Sequence, residues 1–542
     1  MGVNSYTSNW KHRVCDTDAV AYDTAWALSM AVHLNMKELA DKLLFWVLSH
    51  RHGDGSWGST YENYHERVLC TLAAVIALSE YKKKFGFGKS VESAINNGLE
   101  YLWDNIKKVE FERYSTIAFE VLLPSLMDRA TELGLNVPAG FAKKYRGYFE
   151  HRISRLGELI EYPPALYSVE FSAYYFPEYL AKYADDMVLP NGSVACSPSA
   201  TAFVCMMCKD GDVRKRMLLY LGHMLSMFGA MPAVYPFEVF DISWSFYNFW
   251  RLGLLPERLL GLAKKIPNYW INKRKKGPFT GIGPSVIGNI VDADDTSLAL
   301  WVALSLHELG HLRPMHARTM VEDYLRMLGE YSTRDRILCF SGERDESIST
   351  NAHALEALKA ISKIFPNMRK DAEEYAEIAH KCLKNWIAYG KWVDKWHVSP
   401  IYATSHATLS LLGYDDELAL RGAETIMLEQ LRTGGWGARG GSVEETALAL
   451  QALSACALSG YDDVCYAYWE DALSYIAHQP PDFSAQWISK SLYTPKNVVR
   501  SALNSSLIIV KSFVSEIGYD AVRMQSLLSQ KSGASGDVEE SW

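Results

Sequence analysis

Residues 53–58 read GDGSWG, and a shortened form of the same stretch, GGWG, recurs at residues 434–437. Each copy is followed by charged residues and then by an Ala/Leu-rich segment, Leu69–Leu78 in one case and Thr446–Leu458 in the other. Both segments carry apolar residues at the i, i+3, i+4 and i+7 spacing of a helix with one buried face. Two copies of one turn-and-helix unit predict two related helical barrels.

The remainder of the chain follows the same pattern. Helical periodicity dominates and alternating, strand-like stretches are rare, so the fold is predicted to be all-α. A length of 542 residues predicts two or three domains rather than a single core.

Composition excludes several classes of protein. No stretch approaches eighteen consecutive apolar residues, so no membrane span is predicted. A net charge of −8 without a long basic run argues against a nucleic-acid partner. Nine scattered cysteines, an odd number, predict reduced thiols in a cytoplasmic protein.

Residues 292–295, DADD, place three carboxyl groups directly before the apolar segment 298–304. On a helix, positions i and i+3 share a face, so the middle Asp294 points away from Asp292 and Asp295. The spacing also suits a helix start with Asp292 as the N-cap, which is the purely structural interpretation. Clustered carboxylates repel one another, and at least one is expected to stay protonated at neutral pH. A protonated carboxyl in apolar surroundings can donate its proton to a base as weak as an alkene.

Asn351 and His353 form a second polar group within apolar helical sequence. A lone histidine on such a helix is more often a hydrogen-bonded core residue than a catalytic one. Either side chain could nevertheless hold one oxygen of Asp294 and orient the proton on the other.

Several motifs, in order, resemble those of the class II terpene cyclases, and specifically the copalyl diphosphate synthase type of bacteria and fungi. DADDT at 292–296 is similar to the DxDD motif of these enzymes. The other matching motifs are AYDTAW at 21–26, DGSWG at 54–58, FEVLLPSL at 119–126, SPSATA at 197–202, VYP at 234–236 and WISKSLY at 487–493.

The resemblance implies two α-barrel (α/α toroid) domains with the active site between them. A γ domain, 31–239, is expected to be inserted into a β domain, 1–30 and 240–528, after the first helix of that domain. Residues 529–542 are expected to be a disordered tail or a linker.

The resemblance implies that Asp294 is the general acid and that Asp292 and Asp295 support its protonated state. It places the hydrogen-bond partner of that acid at His353 or Asn351, and it does not decide between them. Glu120 matches a position associated with Mg²⁺ and the diphosphate, although a helix-surface carboxylate is the alternative.

The chain departs from the plant enzymes of the ent series, in which a His/Asn pair holds the water that removes the final proton. Tyr167 and Ala233 stand at those two positions. The pair is absent, so ent stereochemistry is in doubt, and Tyr167 becomes a candidate for the base, through its hydroxyl or a bound water.

Carbocations require a dry pocket with aromatic faces, because water quenches them and π electrons stabilise them. Several aromatic residues in or near the motifs, together with one lysine, are therefore predicted to bind substrate, with core packing as the alternative for each ring. These residues are Trp244, Trp396, Tyr402, Trp436, Tyr493 and Lys490.

The expected reaction is cyclisation of geranylgeranyl diphosphate to a bicyclic copalyl-type diphosphate. A metal-binding DDxxD is absent at Asp185, Asp415 and Asp462, so the product is expected to keep its diphosphate. A prenyltransferase upstream and a class I terpene synthase downstream are the expected partner enzymes. Farnesyl diphosphate is an open alternative substrate, squalene is disfavoured by the chain length, and a non-catalytic helical scaffold is a third interpretation.

Overall fold

The structure is a computed structural model that describes residues 13–86, 88–155, 163–172, 177–275, 277, 279–461, 466–479 and 483–517. The predicted tail, 529–542, lies outside these residues. None of the described helices is both long and apolar enough to cross a membrane.

The helices of the first part of the chain, in order, are α1 (Ala21–His33), α2 (Lys37–Ser49), α3 (Tyr64–Phe85), α4 (Lys89–Asn105), α5 (Phe119–Glu132), α6 (Arg146–Ser154), α7 (Pro177–Met187), α8 (Pro198–Met207) and α9 (Gly211–Phe228). Short 3₁₀ segments lie between them at Ile106–Phe111, Ala139–Tyr145 and Pro163–Ser172.

The second part contains α10 (Glu238–Trp250), α11 (Glu257–Ala263), α12 (Ile266–Arg274), α13 (Ala293–Glu308), α14 (Pro314–Tyr331), α15 (Ile348–Ile364), α16 (Arg369–Asn385), α17 (Pro400–Leu411), α18 (Asp416–Leu428), α19 (Val443–Leu458), α20 (Tyr466–His478) and α21 (Lys496–Ile517). Its remaining elements are 3₁₀ turns at Pro366–Met368 and Ala438–Gly440 and the strands β1 (Trp487–Ile488) and β2 (Leu492–Tyr493).

Helix packing closes two rings. In the second part, α10, α13, α15, α17, α19 and α21 contact one another in that order, and α21 returns to α10. The helices between them, such as α14, α16 and α18, pack on the outside of this ring. In the first part, α1, α3, α5, the segment Pro163–Ser172 and α8 form a smaller ring of the same kind. The prediction of an all-α fold with two α-barrels is confirmed, and the rings are called here the N-terminal and C-terminal barrels.

The glycine–tryptophan blocks have one structural role in both barrels. The indole N–H of Trp57 donates to a main-chain carbonyl of the preceding helix at 2.6 Å, and that of Trp436 does the same at 2.5 Å. The main-chain N–H of each tryptophan donates to a threonine hydroxyl in the following helix at 3.0 Å. Trp392 makes the same pair of bonds, at 2.7 and 3.1 Å. It marks a third copy of the turn-and-helix unit, which the glycine–tryptophan pattern in the sequence did not reveal. Each tryptophan thus ties an outer helix to the next inner one.

Helix α1 lies in a different barrel from the one predicted. The domain division assigned residues 1–30 to the C-terminal barrel, but the buried residues of α1, including Tyr22 and Trp26, belong to the hydrophobic core of the N-terminal barrel. Only the residues before α1 pack on the other barrel, where Cys15 donates its N–H to Asp241. Helix α1 is buried on nearly every face, and it packs between α3 and α8 of the N-terminal barrel.

A short hairpin joins the barrels. Strands β1 and β2 pair antiparallel, with Trp487 opposite Tyr493. The N–H of Ile488 donates to Trp396 in the C-terminal barrel, and the N–H of Leu492 donates to Glu66 in the N-terminal barrel. The WISKSLY motif therefore forms the seam along which the site is built.

Candidate active site

A cavity of about 910 Å³ lies between the two barrels. The C-terminal barrel contributes Asp294, Trp244 and Tyr402 to its wall, and the N-terminal barrel contributes Glu120 and Tyr167. The position confirms that both barrels build one site.

The acidic cluster is a helix cap and a cavity wall at the same time. Asp292 has an extended backbone and accepts the N–H of Asp295 at 2.7 Å, so α13 begins directly after it. Asp294 and Asp295 occupy the first turn, and all three side chains line the cavity although each residue is nearly buried. The predicted helix cap is confirmed. Because α13 begins at the cavity wall, its cap and first turn place the three carboxyls on that wall.

Burial raises the pKa of both outer carboxyls. It raises the pKa of Asp292 to about 7, against the opposing effect of the hydrogen bonds from Asp295. Burial, followed by the charges of Asp292 and Asp294, raises the pKa of Asp295 well above its ordinary value. These three groups cannot all be ionised in this space at neutral pH.

Asp294 is held on both oxygens by helix α15. Its Oδ1 lies 2.5 Å from Nδ1 of His353, and its Oδ2 accepts the hydroxyl of Ser349 at 2.9 Å. His353 is fully buried, which excludes water as a competing partner for its ring nitrogens. The carboxyl is therefore fixed in one orientation towards the cavity.

The structure selects His353 over Asn351 as the partner of the acid. The amide of Asn351 donates to the carbonyls of Ile337 and Ser347, and its Oδ1 accepts the N–H of Ile337 at 2.9 Å. Residues two positions apart on a helix face different ways, so only one of the two side chains could reach Asp294. Asn351 instead fixes the loop before α15.

Ser349 and Asp394 are site residues that the sequence analysis missed. Asp394 accepts the N–H groups of Ile348 and Ser349 at 2.6 and 3.2 Å and so fixes the start of α15. Burial, followed by the charge of Asp294, raises the pKa of this carboxyl. Ser349 stood inside the segment already singled out around Asn351, whereas nothing local to Asp394 indicates its role.

Aromatic rings form the wall around the acid. Trp244 lies edge-on to the imidazole of His353 with ring centroids 5.1 Å apart, and it packs on Phe240 at 4.3 Å. Tyr402 and Trp487 continue the wall, 4.9 Å from each other. Trp396 and Tyr493, also predicted, line the same cavity.

Two residues predicted to bind substrate lie elsewhere. Trp436 is the fully buried repeat tryptophan described above and is not part of the cavity wall. Lys490 is also fully buried outside the wall, where its Nζ donates to Glu170, Ser197 and Ser199. Neither residue lines the cavity, because a motif position on the seam or in a repeat can be occupied for packing as readily as for binding.

Tyr167 lies on the cavity wall as predicted. Its hydroxyl lies 2.6 Å from the Ser489 hydroxyl and donates to the carbonyl of Ala233 at 3.2 Å. Burial raises its pKa well above the ordinary value, so the phenol stays protonated. Any part it takes in proton removal must therefore run through the neutral hydroxyl.

The cavity wall also carries charged side chains of both signs. Arg152, Arg155 and Lys395 line the cavity, as do Glu120, Glu343 and Asp345, and Lys395 forms an ion pair with Glu343. Burial raises the pKa of Glu120, and the charge of Arg152 opposes that shift. Among the described residues no group of three or more His, Cys, Asp or Glu side chains could hold a metal ion alone. A single carboxylate such as Glu120 is compatible with Mg²⁺ only where phosphate oxygens supply further ligands, as is usual for phosphate substrates.

Comparison with known proteins shows the family to which the chain belongs. The chain is 30% identical over 523 residues to a type B diterpene cyclase of Mycobacterium tuberculosis, a match that covers 91% of this chain and 95% of that one. The chain belongs to the diterpene cyclases. The class II assignment made from the DxDD resemblance is confirmed, and the protein is an enzyme.

Two further similarities agree. This diterpene cyclase is 28% identical to a labda-7,13-dienyl diphosphate synthase of Streptomyces clavuligerus, over 91% of this chain and 89% of the other. Its fold matches that of an ent-copalyl diphosphate synthase from Streptomyces platensis with a TM-score of 0.73 and 24% identity, over 94% and 98% of the two chains. No model of a protein family matches the sequence.

Proposed function

We propose that this diterpene cyclase converts geranylgeranyl diphosphate into a bicyclic, copalyl-type diphosphate by protonating its terminal alkene. The observation that carries the proposal is the carboxyl of Asp294, held by His353 and Ser349 in an aromatic cavity that is also lined by Arg152 and Arg155. An acid, aromatic rings and cations in one cavity match a substrate with an alkene tail and a diphosphate head.

The first step uses Asp294. With Oδ1 accepting from His353 Nδ1–H, the acid proton resides on Oδ2 and passes to the less substituted carbon of the terminal alkene. A tertiary cation forms, two internal alkenes attack in turn, and two rings close. The partly ionised pair Asp292 and Asp295 keeps the site negative, so the developing cation is favoured over the neutral ground state.

The aromatic wall supports the intermediates. Trp244, Tyr402 and Trp487 offer π faces to cations that water would quench, and each such contact is worth up to about 2 kcal/mol when desolvated. The cavity must also stay dry until the last proton leaves.

The diphosphate is expected to remain on the product and to sit against Arg152 and Arg155, which line the cavity. Glu120 would hold a Mg²⁺ ion there, and the ion, when bound, would neutralise and orient the diphosphate. Asp415, one of the positions considered for a metal motif, caps α18 and contacts His380, so it has a structural role.

Farnesyl diphosphate, which would give a drimane skeleton, is the second candidate. The cavity, at about 910 Å³, lies near the upper end of the range for small-molecule sites, about 300–1,000 Å³. That volume accommodates the C20 chain.

The base that removes the last proton from the cyclised cation is assigned to a group near the WISKSLY hairpin. Tyr167 and Ser489 line the cavity and share a hydrogen bond, and through a water they would offer a neutral base to the last cation. Tyr167→Phe removes this hydroxyl with little change of shape. The expected result is a changed double-bond position or a hydroxylated product, and an unchanged product would exclude Tyr167.

A prenyltransferase must supply the linear diphosphate, and an enzyme that ionises or hydrolyses allylic diphosphates must consume the product. Cys15, Cys70, Cys196, Cys205, Cys208, Cys339 and Cys382 are buried free thiols, which supports a cytoplasmic enzyme.

The test is incubation of the full chain with Mg²⁺ and geranylgeranyl or farnesyl diphosphate, followed by dephosphorylation and mass analysis. We expect one bicyclic C20 alcohol from the wild type and none from Asp294→Asn. Appreciable turnover by Asp294→Asn would remove the acid assignment, and efficient turnover of only the C15 substrate would replace the substrate.

A further inference from the structure

Behind the acid lies a second histidine that the reaction as described does not use. His406, on α17, is 1% exposed, and its Nδ1 lies 2.7 Å from Nε2 of His353. Since His353 Nδ1 contacts Asp294, the three side chains form one line of hydrogen bonds from α17 to the cavity. His406 touches the acid only through His353.

The surroundings of His406 keep its ring neutral. Tyr247 stacks on one side with ring centroids 5.5 Å apart, and Tyr402 packs at 4.4 Å. Burial, followed by the nearby rings of His353 and His397, lowers its pKa well below the ordinary value of 6.5. The nearest carboxyl along the chain of bonds is that of Asp294, which lies beyond His353.

A neutral imidazole has one N–H, so the bond between the two rings has two possible polarities. If His353 donates from Nε2, its Nδ1 is an acceptor and draws the acid proton of Asp294 onto Oδ1, away from the alkene. If His406 donates instead, the proton of His353 is on Nδ1 and points at Oδ1, which leaves the acid proton on Oδ2. Only the second arrangement is productive.

We propose that His406 is a positioning residue that donates its Nδ1–H to His353 and thereby holds His353 in the tautomer that leaves the acid proton of Asp294 facing the substrate. This inference rests on the proposed function, in which Asp294 is the proton donor. His406 does not exchange a proton with the substrate; it determines on which oxygen of Asp294 the proton is found.

Three substitutions of similar size separate hydrogen-bond polarity from packing. His406→Asn keeps a donor at the position of Nδ1, His406→Asp offers only an acceptor when ionised, and His406→Leu offers neither. The proposal predicts that kcat per folded enzyme falls in the order wild type, Asn, Leu, Asp. We expect His406→Asn to stay within about threefold, His406→Leu to lose about tenfold, and His406→Asp to lose about 100-fold.

The experiment measures single-turnover rates with geranylgeranyl diphosphate and Mg²⁺, with thermal unfolding followed in parallel to normalise for folded protein. KM should stay unchanged, since His406 does not line the cavity. The His406→Asp enzyme should recover part of its rate as the pH falls and the new carboxyl becomes protonated and able to donate. A residue with a packing role alone would give rates that follow stability and no such pH response.

Equal rates for His406→Asn, His406→Leu and His406→Asp would overturn the inference. Wild-type protein and Asp294→Asn are run beside them. If the wild type forms no cyclised product, or if Asp294→Asn is active, the proposed function fails. If both behave as expected but the order at position 406 is absent, only the role of His406 fails.

Discussion

A substitution of Lys490 can decide whether this residue binds the substrate or stabilises the fold. Its ammonium is fully buried, and its three N–H groups are shared among Glu170 and the carbonyl of Tyr167, both at 2.7 Å, and the hydroxyls of Ser197 and Ser199. The hairpin that carries it is thereby attached to the N-terminal barrel. Removing one partner of a buried ion pair typically costs about 3–5 kcal/mol, because the remaining charge has no compensation. Lys490→Met should therefore lower the free energy of unfolding by about that amount.

The assay is urea unfolding followed by tryptophan fluorescence and circular dichroism, with KM for the prenyl diphosphate measured on the folded enzyme. The matched control is the double variant Lys490→Met/Glu170→Gln, which removes the isolated charge and should recover part of the loss. KM is expected to be unchanged for both variants. A raised KM with unaltered stability would refute the structural assignment and restore Lys490 to the substrate.

Three further outcomes are expected. His353→Phe removes a hydrogen bond to Asp294 that becomes charge-assisted as the acid gives up its proton, and such a bond is worth about 1.5–3 kcal/mol. The value of kcat should therefore fall about 10- to 150-fold with KM unchanged, and a smaller loss in a single-turnover assay would exclude the histidine as the holder of the acid. Trp244→Leu removes a π face beside the acid. The fraction of monocyclic or water-quenched product, measured by mass analysis, should rise by up to about 30-fold. An unchanged product profile would show that the cations form away from Trp244. Asp292→Asn keeps the helix cap but removes a carboxyl whose pKa is raised to about 7, against about 3.9 unfolded. The folded wild-type protein binds that proton more tightly than the unfolded chain does, so the wild-type free energy of unfolding falls as the pH rises from about 4 to about 7. The variant lacks this loss, so its free energy of unfolding should rise relative to that of the wild type between pH 5 and pH 8. A constant difference between the two proteins would show that Asp292 is ionised throughout.

The sequence was sufficient for elements with a repeating local signature. The glycine–tryptophan blocks predicted two barrels because each block is a local device, a turn whose indole reaches the helix just before it. The DADD cluster likewise predicted both a helix cap and a shared negative site, since both depend on spacing within one turn.

Features built from distant segments could not be predicted in the same way. His353 and Asn351 are equivalent in a sequence that does not reveal which face of α15 turns towards α13. His406 reaches His353 across 53 residues, and its role exists only once α15 and α17 are neighbours in the ring. The sequence does not decide the role of Lys490, because a lysine in a motif can be a substrate ligand or a buried counter-ion. Only the position of Glu170 in the folded protein decides between the two roles.

The most direct test of proton-initiated cyclisation is the reaction of the wild-type enzyme with unlabelled geranylgeranyl diphosphate in D₂O. If Asp294 exchanges its proton with solvent and delivers it to the terminal alkene, each product molecule carries one deuterium in the first ring, retains its diphosphate and is one mass unit heavier. Product without deuterium, or product that has lost its diphosphate, would contradict the account.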